Sequence, residues 1–272
     1  MNQVNLMRKK SRVLREINSI IAVMMRDLTV FFKSPSAVFL SFAMPIVMMG
    51  MIGGNLMQNM AVGLGFEFGK FMLVGMLVNM MFMITSMGMT SIIDDSETDF
   101  NQEMLVAPVY RYSLVIGKIL GSMFGAIISI AGTLVVGAVL GITLPIGGLL
   151  FLLALAPLIC LSGGAFTMIL IGLIRNKKSA NMVIMIALMP QMFLSGAIIP
   201  INNTDGILMV LSRLMPMTYS LDLARAVVYA GTDEYREVVM FNPFINFAIL
   251  ATLTTICLII GTYFFSQAEK RR

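Results

Sequence analysis

Few side chains in this sequence could do chemistry. Histidine is absent, which excludes histidine-dependent catalytic triads, histidine-ligated zinc and histidine proton relays. Cys160 and Cys257 each lie inside a long uncharged stretch, where a thiol behaves as a small buried hydrophobe. No carboxylate lies within those stretches to act as a base, so an intramembrane enzyme is disfavoured. We therefore predict neither a catalytic residue nor a metal site.

A phosphate-binding loop is also missing from the sequence. Such a loop needs the pattern G-x-x-x-x-G-K-[ST], so that backbone amides, a lysine and a hydroxyl converge on phosphates and magnesium. The nearest matches, Gly69-Lys70 and Gly117-Lys118, lack both the first glycine and the final hydroxyl. If ATP drives this protein, ATP and Mg²⁺ are expected on a separate ATPase chain.

Methionine is the one abundant side chain that can bind a metal, with 28 residues. Thioethers suit Cu(I), but cysteine and histidine co-ligands are lacking, and methionine is also an adaptable apolar filler. A pliable wall of methionine is compatible with varied hydrophobic substrates.

The elements that must position these residues are membrane helices. Hydrophobic residues make up 58% of the 272 and charged residues 12%, about half the charged fraction of a soluble domain. A spanning helix needs about 20 apolar residues, so gaps between charges locate the spans. We predict an all-α membrane protein with a transmembrane domain over 35–268 and six spans near 36–57, 70–92, 113–141, 147–173, 180–200 and 243–266.

The basic residues predict the orientation of these spans. Cytoplasmic loops are enriched in Lys and Arg, and 15 of the 19 bases fall on the side that carries both termini. We therefore predict a cytoplasmic N-terminal segment over 1–34 and a cytoplasmic basic tail over 269–272. The excess positive charge is explained by topology, so no nucleic-acid partner is expected.

Two helical segments carry further patterns. Residues 13–32 place apolar residues at helical spacing, with Arg26 and Asp27 between them and Lys33 and Pro35 at the end. This pattern predicts an amphipathic helix at the cytoplasmic membrane surface, with a simple anchor as the alternative. The third span carries small residues at every fourth position, which predicts close packing against more than one helix; these are Gly117, Gly121, Gly125, Ser129, Thr133, Gly137 and Gly141.

The cytoplasmic loop after the second span is acidic, against the trend of its side. Asp99 can cap a short helix with Gln102 three residues later, and Pro108 would end it. The acidic start and the apolar pair Met104 and Leu105 favour docking to a cytosolic partner, while a solvated linker is the alternative.

The outer loop, 201–242, contains two apolar segments that are too short to span the membrane. Residues 207–215 and 217–230 are suited to lie in the interface or to re-enter it. Asp222 and Arg225, three residues apart on the second segment, have the spacing of a helical ion pair.

Several of these motifs, in this order, resemble those of the ABC type-2 exporter permeases. The resemblance runs from about residue 20 to the end of the chain. It rests on Arg26-Asp27 before Lys33-Ser34-Pro35 and Met44-Pro45, on Glu103 to Arg111 leading into Gly117-Lys118, and on Ser195-Gly196 to Pro200 with Pro216-Met217-Thr218-Tyr219 to Arg225.

The resemblance implies an exporter subunit of the bacterial plasma membrane. Two copies of this chain, or two related subunits, would form the path, and two cytosolic ATPase subunits would drive it. By that resemblance, Asp99 to Arg111 would be the coupling helix, with Glu103 and Met104 among its contacts, residues 13–33 the interfacial helix, and the outer loop an extracellular gate. An ion-coupled transporter or a channel remains the alternative, although no span carries the intramembrane carboxylate that ion coupling usually needs.

Overall fold

Helices form all the regular structure in the parts of the chain that the computed structural model describes, which are residues 2–53, 65–95, 111–174, 177–198, 200–201 and 206–270. The prediction of an all-α membrane protein is confirmed. The helices are α1 (Asn2–Lys33), α2 (Pro35–Met48) with a π-helical turn at Met49–Gly53, α3 (Phe68–Gly88), α4 (Ser91–Asp95), α5 (Arg111–Val139), α6 (Ile146–Leu173), α7 (Lys177–Leu194), α8 (Ile207–Leu214), α9 (Pro216–Val228), α10 (Tyr235–Val238) and α11 (Pro243–Lys270).

Four helical stretches are long and apolar enough to cross a membrane. They are Phe68–Ile93, Arg111–Val139, Ile146–Leu173 and Tyr235–Gln267, and they correspond to the predicted spans 70–92, 113–141, 147–173 and 243–266. The number of candidate spans rises to six only if each of two bent helix pairs is taken as one span.

The other two predicted spans differ from the four long ones. For the span predicted at 36–57, the chain is helical from Pro35 through the π-helical turn to Gly53, and residues 54–57 lie outside the described residues. The segment from Pro35 leaves α1 at an 82° bend. For the span predicted at 180–200, the apolar helix covers only Ala180–Leu194, because the chain turns at Gly196, whose φ is +84°. An uncharged stretch therefore overestimates a helix when a turn residue lies inside it.

The centre of the bundle is α3, which packs against α5, α6 and α9. In the candidate span that contains α3, 78% of the most apolar part is buried inside the protein, whereas in the span that contains α11 the buried share is 22%. A helix that is apolar all round belongs in such a core. Met72, Met76 and Met81 are fully buried there, so these methionines fill the core rather than line a surface.

The small-residue stripe of α5 contacts two helices. A Cβ added to Gly117 would lie 2.9 Å from Cβ of Val23, and one added to Gly121 would lie 2.8 Å from Cβ of Asp27, both on α1. Further along, Gly125 meets Phe31 of α1, and Gly137 meets Leu73 of α3. Gly141, with a φ of +74°, lies just past the end of α5.

One face of α1 remains uncovered. Leu14, Ile17, Ile21, Met25 and Phe32 are exposed, and their spacing places them on one apolar stripe. Such a stripe fits contact with lipid at the membrane surface.

Candidate functional site

The segment predicted as the outer loop contains two joined helices, α8 and α9, which meet at 84°; we call this pair the hairpin. Met215 is extended because it precedes Pro216, and Pro216 starts α9 at a position where a missing N–H is tolerated. Two side chains close the corner: the Thr218 hydroxyl donates to the Ser212 carbonyl oxygen and the Tyr219 hydroxyl to that of Arg213, each at 2.7 Å. The two short apolar segments predicted in the outer loop are thus two joined helices.

The second helix of this hairpin is inserted into the protein. α9 packs against α3, α6 and α11, and nearly all of its residues are buried. In contrast, α8 exposes apolar side chains such as Ile207, Val210 and Leu214.

Asp222 joins α9 to the start of α11. Its side chain is 2% exposed and accepts hydrogen bonds from the backbone N–H of Met240 at 2.7 Å and of Phe241 at 3.0 Å. The amide of Asn246 donates a third, at 3.0 Å. These donors supply what a buried carboxylate requires.

Arg225, on the next turn of α9, contacts α3 and the turn after α7 rather than α11. The side chain is 1% exposed, and its Nη2 donates to the Gly196 carbonyl oxygen at 2.7 Å. The guanidinium carbon lies 3.6 Å from the centre of the Phe71 ring, a distance at which a cation is attracted to an aromatic face. Arg225 thereby connects α9 with α3 and with the turn that follows α7.

Asp222 and Arg225 therefore hydrogen-bond to separate partners rather than to each other, although their opposite charges still attract. The spacing of three residues indicated only that both could lie on one helix, whereas tertiary contacts turn each side chain towards a different neighbour. We call Phe71, Gly196, Asp222, Arg225 and Asn246 the outer cluster. Asn246 was detectable in the sequence as a rare polar residue in a span, but nothing marked Phe71.

The remaining predicted gate residues lie around this cluster. Pro216 and Tyr219 are buried at the corner of the hairpin. Pro200 is half-buried in the connection between Gly196 and α8. A Cβ on Gly75 of α3 would overlap the carbonyl oxygen of Ala197, so α3 and the turn after α7 lie in backbone contact here.

At the other end of the bundle, Lys118 binds two helices. The side chain is 4% exposed, and its Nζ lies 3.4 Å from Oδ2 of Asp27 on α1. The same ammonium donates to the hydroxyl of Ser91 on α4 at 2.7 Å. We call Asp27, Ser91 and Lys118 the inner cluster. In the sequence, Lys118 counts among the bases of the cytoplasmic side and belongs to the Gly117-Lys118 motif, but neither pattern predicted the partners of this side chain.

The predicted interfacial residues lie near the inner cluster. Arg26 lies 3.9 Å from Asp27, Lys33 is exposed at the end of α1, and Pro35 is the first residue of α2. A cavity of about 390 Å³ adjoins them, with Arg26, Asp27, Ser34, Ser91, Lys118 and Ser122 among its lining residues.

The predicted docking loop lies mostly outside the described residues. Asp99, Gln102, Glu103, Met104, Leu105 and Pro108 fall in that part of the chain. Arg111 is described and is the first residue of α5, where it is half-buried. The role of these residues stays a prediction.

Comparison with known proteins identifies the family. Residues 18–229 match the ABC-2 type transporter family. Over 118 residues the chain is also 30% identical to Nodulation protein J of Rhizobium meliloti (strain 1021), an alignment that covers 42% of this chain and 44% of that protein. Less than half of that relative is thus spanned. Because the family match runs from α1 to the end of α9, the chain belongs to the ABC-2 type transporter family.

Proposed function

We propose that this protein is the membrane-spanning subunit of an ATP-driven exporter in the bacterial plasma membrane. It moves a hydrophobic or amphipathic substrate, such as a drug or antibiotic, a lipid-like molecule or a glycan-linked one, out of the cell. The observation that carries the proposal is the family match over residues 18–229. The sequence has no phosphate-binding loop, so the energy comes from ATP and Mg²⁺ bound to a separate ATPase subunit.

The ATPase docks on the cytoplasmic segment from Asp99 to Arg111. Two features support this site: the segment is acidic at its start, and it leads directly into α5, which carries the inner cluster. In the predicted topology this segment and both termini lie on the cytoplasmic side, where a cytosolic ATPase can reach the segment. Two ATPase copies bind the docking segments of two permease subunits.

The second permease subunit is a copy of this chain or a related one. Supporting this, α7 exposes an apolar stripe of large side chains, which are Met182, Met185, Ile186, Met189 and Phe193. Only one side of α7 packs on the rest of the chain, so the other side must contact lipid or another subunit.

The hairpin of α8 and α9 forms the extracellular gate. This proposal is supported by its placement at the opposite end of α3 from the inner cluster and by the few bases in its loop. The outer cluster then fixes the hairpin to α3, to α11 and to the turn after α7.

Export is tested in inside-out membrane vesicles that contain the permease and its ATPase. A fluorescent hydrophobic dye serves as the probe, and ATP-dependent accumulation is expected. The matched control carries an ATPase whose phosphate-binding lysine is replaced. Accumulation that persists in the control and follows an ion gradient would overturn the proposal in favour of an ion-coupled transporter or a channel.

Docking is tested with the double variant Glu103→Ala, Met104→Ala. We expect loss of ATPase co-purification and of dye transport together, because a charged and an apolar contact are removed at once. Asp233→Ala, which removes an exposed acid of the outer loop, is the control and should keep both. Unchanged co-purification and transport in the double variant would show that docking occurs elsewhere.

A further inference from the structure

Lys118 is buried where three helices meet. Its side chain belongs to α5, its ammonium binds Ser91 of α4 at 2.7 Å, and it lies 3.4 Å from the Asp27 carboxylate of α1. A lysine is almost never this buried unless it is paired. Those bonds fix its position, and through it the positions of the three helices.

The helix that holds Ser91 stands at the root of the proposed docking segment. α4 covers Ser91–Asp95, and the segment from Asp99 to Arg111 follows four residues later. The same segment ends at Arg111, the first residue of α5, so a displacement by the ATPase acts on α4 at one end and on α5 at the other. The bond from Ser91 to Lys118 holds these two helices together, and Asp27 joins them to α1.

The first half of α5 is joined to α1 along a close interface. Gly117, Gly121 and Gly125 let the two helices approach, and the Ser113 hydroxyl donates to the Glu16 carboxylate at 2.6 Å. A tight interface with polar contacts at several points moves as one body more readily than it shears. The link from α4 to this pair is narrower, because α4 has only five residues.

The cavity of about 390 Å³ adjoins the inner cluster and the bend between α1 and α2. The cavity is partly open to the surroundings, and Phe31 and Ala37, on either side of the bend, are among its lining residues. A space of this size beside Ser34, where α1 ends, gives the bend room to change its angle. Asp27, which Lys118 binds, lies on the α1 side of this bend and lines the same cavity.

We propose that Lys118 is a positioning residue that transmits movement of the docking segment to α1. The ammonium holds Ser91, at the root of that segment, and Asp27, on α1, so that the two shift together while the bend beside the cavity absorbs the change. This inference rests on the proposed function, since it requires an ATPase at the docking segment. It adds the route by which docking reaches the N-terminal helix.

The test uses the full permease with its ATPase in lipid nanodiscs and in dye-loaded vesicles. Spin labels at Met25→Cys on α1 and Met87→Cys at the end of α3, both half exposed, report the separation of the two helices after Cys160 and Cys257 are replaced. In the parent protein we expect one narrow distance, unchanged when ATP and vanadate trap the ATPase. In Lys118→Met the distance should broaden on trapping, and dye transport should fall about tenfold, within the range of coupling between linked sites.

Matched variants separate transmission from folding. Lys118→Arg can keep both bonds and should recover most of the transport, whereas Arg15→Met removes an exposed base of α1 and should have no effect. A second pair compares two serines that line the same cavity: Ser91→Ala loses the bond from Lys118, and Ser122→Ala loses only a bond to the Ile119 carbonyl within α5. Ser91→Ala should broaden the distance on trapping and lower transport severalfold, and Ser122→Ala should do neither.

The outcomes distinguish this inference from the proposed function. If the ATPase does not bind the parent protein or drive transport, the proposed function fails. If the parent is driven by ATP but Lys118→Met transports normally with an unchanged distance, the transmission role alone is overturned. If Lys118→Met does not fold, the serine pair decides, and equal behaviour of its two members overturns the inference.

Discussion

The outer cluster and the inner cluster both contain buried charged side chains, but these side chains bind different kinds of partner. Asp222 and Arg225 bind mostly backbone groups and a ring, at Met240, Phe241, Gly196 and Phe71. Lys118 instead binds the side chains of Asp27 and Ser91. Backbone partners are fixed by the helices that carry them, whereas side chains can rotate and follow. The difference suggests a rigid outer end and an inner end that stays paired while it moves.

Removing the outer carboxylate should have the largest effect on stability. Asp222→Ala leaves two backbone donors and the Asn246 amide without their acceptor, so we expect a loss of about 3 kcal/mol or more in the free energy of unfolding. Unfolding of the purified protein in detergent micelles measures it. Asp233→Ala, at an exposed acid of the same loop, should change stability by less than about 0.5 kcal/mol. Similar small effects of both variants would contradict a rigid outer end.

The next largest effect is expected where α3 meets the turn after α7. In Gly75→Ala the new Cβ overlaps the carbonyl oxygen of Ala197, and backbone cannot rotate away, so we expect destabilisation of about 2 kcal/mol. The control is Gly147→Ala on α6, where an added Cβ meets nothing within 4 Å. Gly75→Ala as stable as this control would mean that the outer end is more adaptable than its contacts indicate.

Arg225→Lys separates the charge from the shape of the guanidinium. The ammonium keeps the charge but loses the flat stacking on Phe71 and the fixed geometry towards Gly196, so we expect a loss of about 1.5 kcal/mol. Arg236→Lys, at an exposed base of the outer loop, is the matched control and should be neutral in the same unfolding measurement. If both lysine variants leave the free energy of unfolding unchanged, the charge of Arg225 alone accounts for its contribution to stability.

The smallest of these effects is expected at the inner end. Gly121→Ala places a Cβ 2.8 Å from Cβ of Asp27, a close contact with a side-chain atom rather than with backbone. We expect about 1 kcal/mol of destabilisation, roughly half that of Gly75→Ala. If Gly121→Ala lowered the free energy of unfolding more than Gly75→Ala does, the inner end would be the more rigid of the two.

The four long spans could be predicted from the sequence, whereas the bends and turns that bound the two shorter helices, α2 and α7, could not. Charge spacing located α3, α5, α6 and α11 because a charge inside a membrane helix is costly wherever the helix lies. It overestimated the helix near 180–200, which ends at Leu194 before the turn at Gly196, and it did not predict the 82° bend between α1 and α2. The docking segment falls outside the described residues, so that part of the candidate site is still a prediction.

The partners of the buried charges could not be predicted in the same way. Asp222 and Arg225 were recognised as site residues from their spacing, but the ion pair expected between them does not form, because residues 71, 196, 240 and 246 compete for the two side chains. The burial of Lys118 was not predicted, because it depends on α1 and α4 packing over this side chain. Sequence spacing predicts which residues are neighbours on one helix, but it does not predict contacts with residues of other helices.

The sequence by itself determined that this chain is a membrane protein of helices, with two short apolar helices in one loop and no phosphate-binding loop of its own. These properties follow from the cost of burying charge and from local turn chemistry, which act residue by residue. Only the tertiary structure decided which groups face Asp222, Arg225 and Lys118, and where the glycines of α5 bring α1 close. Those contacts join residues far apart in the chain, and helix packing selects them.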